Sequence, residues 1–64
     1  MKKYTFQRTD DGLAWDVIVD GVTVGYVWKW RASFWRYTTS AGVKGVGGST
    51  RDKAAQALIE RVTA

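Results

Sequence analysis

The chain reads as an α+β domain, an antiparallel sheet of three or four strands packed on one C-terminal helix. Three observations predict this. Asp20-Gly21 separates two β-branched runs, the strongest short-range hairpin signal in the chain. Ala55, Leu58, Ile59 and Val62 recur at helical spacing behind a Ser/Thr cap. Four Trp, three Tyr and two Phe stand in 64 residues that contain no Cys and no His. With no disulfide and no thiolate or imidazole metal site to help, packing of these aromatic groups has to hold a chain of this size together. Residues 1–64 form one domain, because a chain this short has no room for a second core.

Taken in order, Tyr4, Phe6 and Arg8 alternate with Thr5, Gln7 and Thr9, so residues 3–9 form a first strand. Asp10-Asp11-Gly12 is a turn. Leu13–Asp20 and Val22–Arg31 are the arms of the Asp20-Gly21 hairpin. A two-residue turn there pairs Val19 with Val22, Val17 with Val24, Trp15 with Tyr26 and Leu13 with Trp28, all on one apolar face. A corner at Arg31-Ala32-Ser33 leads to a fourth strand, Phe34–Thr39. Pairing Trp30 with Trp35 and Trp28 with Tyr37 extends the same face, and Trp28 becomes its centre. The register one residue away sets Arg36 against Trp28 inside the core, which desolvation of the charge disfavours. Ser40–Gly48 holds four of the seven glycines and reads as a loop with room for a short return strand at Val43–Val46. Ser49, with Asp52 three residues on, matches a capping box, and the helix spans roughly Thr50–Val62.

Met1-Lys2-Lys3 begins as a signal peptide does, but no apolar run follows, and no stretch approaches the length of a membrane span. The expected location is the cytoplasm, with no membrane partner. Catalysis is not expected. Nucleophilic chemistry lacks a His or Cys, the side chains of Asp10 and Asp11 diverge from their turn, and Asp16 and Asp20 lie too far apart to share a proton. Gly48-Ser49-Thr50 lacks the Lys of a phosphate-binding loop. No cofactor, metal or small-molecule substrate is implied.

The charge is +4, and its distribution is uneven. Four of the six acids (Asp10, Asp11, Asp16, Asp20) lie early, whereas Gly21–Arg51 carries five bases (Lys29, Arg31, Arg36, Lys44, Arg51) and no acid. Such a stretch suits a polyanion. In the preferred register Lys29 opposes Arg36, with Arg31 diagonal to them, on the face away from the helix. The expected nucleic-acid contacts are Lys29, Arg31, Arg36, Thr38, Lys44 and Arg51. Trp15, Trp28 and Trp35 are assigned to the core, and Trp30 and Phe34, near the corner, are the candidates for an exposed aromatic contact.

Trp35-Arg36-Tyr37, Gly42, the Gly47-Gly48 pair, Thr50, Ala54-Ala55 and Leu58 resemble the three-stranded-sheet-plus-helix DNA-binding domain of phage integrases and plant ethylene-response factors. That resemblance implies DNA binding through the sheet face, with Lys29, Arg31 and Arg36 in the positions of its basic residues. The chain departs from the pattern in its additional leading strand and its glycine-rich Val43–Val46. The Thr50-Arg51…Ala54-Ala55 opening of the helix also resembles small proteins of actinobacteria and their phages. Two functions follow as expectations: a module that binds duplex DNA through a basic sheet face, or a protein-interaction module (a partner protein or a second copy) acting through an edge strand and Trp30/Phe34. Bases gathered on one flat face favour the first; an exposed apolar patch with few bases favours the second.

Overall fold

The computed structural model describes residues 3–32 and 34–63; Met1, Lys2 and Ser33 of the expected corner lie outside the described residues. It contains β1 (Tyr4–Arg8), β2 (Trp15–Val19), β3 (Val22–Arg31), β4 (Phe34–Thr39), β5 (Lys44–Gly48) and α1 (Arg51–Thr63). The strands form one antiparallel meander, β1-β2-β3-β4-β5, and α1 lies against β3, β4 and β5. The α+β class is as expected, but the sheet has five strands. The return strand for which the glycine-rich segment has room forms as the edge strand β5, over Lys44–Gly48 rather than Val43–Val46.

The glycines of that strand serve packing. A Cβ on Gly47 would stand 2.4 Å from the Ala54 Cβ, and a Cβ on Gly45 would collide with the Tyr37 ring. Side-chain-free backbone therefore lets α1 and Tyr37 lie close over β5. The same device operates in β3, where a Cβ on Gly25 would meet the Thr38 carbonyl oxygen at 2.3 Å and Leu58 Cδ1 at 2.9 Å. Gly25 has φ +155° and sits in a β-bulge: Val17 pairs with Gly25 but Ile18 with Thr23, leaving Val24 over. One inserted residue reverses the facing of everything beyond it.

The bulge overturns the expected register. Val19 does pair with Val22, but Val17 pairs with Gly25 and Trp15 with Val27. Across the next ladder Val27 pairs with Tyr37, Trp28 with Arg36 and Lys29 with Trp35. The core is Val17, Val27, Ala54, Ala55 and Leu58, with Tyr4, Phe6, Trp15, Val24, Trp35, Tyr37 and Ile59 packed around it. Trp15 and Trp35 are where the sequence places them. Trp28 is not, because strand alternation turns it away from the side on which its neighbour Val27 is buried. Arg36 does oppose Trp28, as in the rejected register. The desolvation objection fails because the pair lies on the face that α1 leaves open.

The helix begins one residue later than expected. Thr50 is the cap, its Oγ1 accepting from the Lys53 N–H at 3.1 Å while its carbonyl accepts from the Ala54 N–H. Ala54, Ala55 and Leu58 are buried, Ile59 is half-buried, and Val62 is exposed near the helix end.

Gly25→Ala adds a Cβ where neither Thr38 backbone nor Leu58 leaves space, and imposes a positive φ on a residue with a side chain. It is expected to destabilise the domain by about 2 kcal/mol or more. Gly42→Ala, also at positive φ (+88°) but with nothing within 4 Å of the added carbon, is expected to cost only about 1 kcal/mol. Urea unfolding of the two variants checks the difference.

Candidate interaction face

The face opposite α1 is built by alternation. Asp16 and Ile18 of β2, Tyr26, Trp28 and Trp30 of β3, Phe34, Arg36 and Thr38 of β4, and Lys44 and Val46 of β5 point away from the helix. β3 continues past the start of β2, so Trp28–Arg31 pair with β4 alone and the β3–β4 hairpin projects beyond the sheet. On this projection Trp30 is 48% exposed and Phe34 51%, with Val46 at 67% beside them. Trp30, Phe34, Arg36 and Val46 line an open cleft of about 270 Å³.

Two arginines occupy the aromatic rings. The Arg31 guanidinium carbon lies 4.4 Å from the Trp30 ring centre, and that of Arg36 lies 5.4 Å from Trp30 and 5.8 Å from Trp28. These cation–π contacts hold the guanidiniums over the patch. Arg36 Nε is buried and, among the described residues, has no hydrogen-bond partner. The cleft is therefore lined by apolar and aromatic groups and one partly buried guanidinium, with a second guanidinium at its rim and no carboxylate in its lining.

The residues expected to bind nucleic acid are dispersed. Lys29 pairs with Trp35 and points to the helix side of the sheet, so the expected Lys29–Arg36 opposition does not form. Arg51, at the first position of α1, lies on the covered side, its guanidinium 4.1 Å from the Phe6 ring and 4.7 Å from Trp15. Thr38 is buried, with Oγ1 unpartnered among the described residues. Arg31, Arg36 and Lys44 remain near or on the open face. Trp30 and Phe34 are exposed there, whereas Trp28, Tyr26 and Val46 join the face without having been singled out for it. The available signal was Gly25 itself, since an isolated glycine inside a strand marks a bulge or a close backbone approach.

A second exposed feature lies between β1 and β2. The Thr9 N–H donates to the Ala14 carbonyl, the Thr9 hydroxyl accepts from the Ala14 N–H at 3.2 Å, and Gly12 adopts φ +71°. The Asp11 carboxylate accepts from the Thr9 hydroxyl and from the Leu13 N–H at 2.9 Å. These two bonds, the hydroxyl first, hold its pKa below the ordinary carboxylate value. This ordered turn holds Leu13 outward at 77% exposure, the highest of the large hydrophobic residues among the described residues.

Comparison of the chain with protein-family models, curated proteins and solved structures finds no match. Among the described residues, no helix is long and apolar enough to cross a membrane.

The placement of Trp28 has a measurable consequence. Trp28→Ala removes a half-buried indole and one guanidinium contact, and is expected to cost about 1–2 kcal/mol and leave the domain folded. Leu58→Ala empties the centre of the core and is expected to cost about 2–5 kcal/mol. Thermal unfolding of both variants ranks them.

Proposed function

We propose that this chain is a non-catalytic protein-interaction module, and that the open face around Trp30, Phe34, Arg36 and Val46 is its docking surface. The observation that carries this reading is the composition of the patch: large exposed aromatic groups and arginines on the β3–β4 hairpin, bounded by the aliphatic Val46 of β5. Trp and Arg dominate the energetic centres of protein interfaces, where Phe is also enriched. A monomer gains nothing from leaving such a patch in water. The fitting partner supplies an apolar side chain for the cleft and a carboxylate for the guanidiniums.

The expected binding of duplex DNA has less support. It required Lys29, Arg31 and Arg36 on one face, and Lys29 projects from the other. Stacking of unpaired bases needs free aromatic planes, and two guanidiniums already lie against Trp30. One observation still favours a polyanion, namely the absence of any acid from Gly21 to Arg51.

Selection from a random peptide library displayed on phage tests the reading. The enriched peptides are expected to pair an aromatic or aliphatic residue with Asp or Glu. Trp30→Ala or Phe34→Ala should weaken their binding at least about tenfold while the circular-dichroism spectrum is retained. Failure to enrich any such peptide, together with salt-sensitive binding of short duplex or single-stranded DNA that is insensitive to both variants, overturns it.

A further inference from the structure

The geometry points to a second copy of this chain as an occupant of the cleft, through the Asp10-Asp11-Gly12-Leu13 turn. This rests on the reading of the open face as a protein-docking surface, and names a partner for it. The chain carries both halves of a complementary pair. One half is the cleft of Trp30, Phe34, Arg36 and Val46, rimmed by Arg31. The other is an exposed leucine beside two carboxylates, on a turn whose neighbouring base, Arg8, is held to the Gly12 carbonyl at 3.3 Å.

Size and chemistry agree. A cleft of about 270 Å³ accommodates a leucine side chain with room for the adjoining backbone. Leu13 then exchanges water for the Trp30, Phe34 and Val46 surfaces, while Asp10 and Asp11 come within range of Arg31 and Arg36. The partly desolvated Arg36 guanidinium, with its buried Nε, gains a charged acceptor. The turn is also pre-organised. Asp11 accepts from the Leu13 N–H, and Thr9 and Ala14 close the loop beneath it, so little conformational freedom remains to be lost on docking. The net charge of +4 on each copy opposes association in general. Uneven placement of the charges makes this orientation the favoured one, since it brings the early acids of one copy to the later bases of the other. Each copy both gives a turn and receives one, so a twofold dimer makes the contact twice.

Sedimentation equilibrium of the full chain from roughly 10 μM to about 1 mM tests the inference. Wild type is expected to shift from monomer to dimer within that range. Leu13→Ser removes the apolar plug, and Val46→Glu puts a carboxylate in the cleft. Both positions are exposed, so both variants fold, and each is expected to dimerise at least about tenfold more weakly. A wild type that stays monomeric across the range overturns the inference, as does a Leu13→Ser variant that dimerises like wild type. If peptides nevertheless bind the cleft of a monomeric chain, the docking surface stands and only its self-recognition is lost.

Discussion

Leu58 packs directly onto the backbone of Gly25, and the rest of the domain is arranged around that approach. An α-helix can come this near a sheet only where the strands present no side chain beneath it. Gly25 and Gly47 provide those places, facing Leu58 and Ala54. In a chain with no disulfide, the close fit replaces volume that larger side chains would otherwise fill. The small Ala54 and Ala55 of the helix and the small residues of the sheet are two sides of one packing solution.

The bulge that places Gly25 under the helix also sets the phase of the longest strand. Beyond it, Val27 goes to the core while Tyr26, Trp28 and Trp30 go to the opposite side. The aromatic residues are thereby divided. Tyr4, Phe6, Trp15, Trp35 and Tyr37 flank the buried centre, and Trp28, Trp30 and Phe34 gather with Arg36 on the open face. One irregularity in β3 thus links stability to the proposed interaction surface, because the slip that admits Leu58 to the sheet also delivers indoles and guanidiniums to solvent.

Much of the fold was legible in the sequence, and for identifiable reasons. The Asp20-Gly21 turn, the alternation in β1 and the Ala55–Leu58–Ile59 spacing are local signals, and each corresponds to an element found. What was not legible depends on contacts distant in sequence. The continuation of β5 through Gly47 and Gly48 was not legible because the use of its glycines, contact with Ala54 and Tyr37, lies outside the local chain. Gly25 read as an ordinary strand residue, so the pattern was carried through it without a slip, and Tyr26, Trp28 and Lys29 were each assigned to the wrong face. The exposure of Trp30 and Phe34 was legible from their place at the hairpin corner. The removal of Lys29 and Arg51 from the face that holds Arg36 was not, since it follows from the bulge and from the stacking of Arg51 on Phe6 and Trp15.

The phase of β3 is the point on which both the packing and the interaction face turn, and nuclear Overhauser contacts read it directly. This phase of β3 predicts contacts from the Val27 methyls to Leu58, and from the Trp28 and Trp30 indoles to the Arg36 side chain, with none from the Trp28 indole to any residue of α1. Contacts between the Trp28 indole and Leu58 or Ile59, with Val27 exposed to solvent, would place the bulge elsewhere and contradict it.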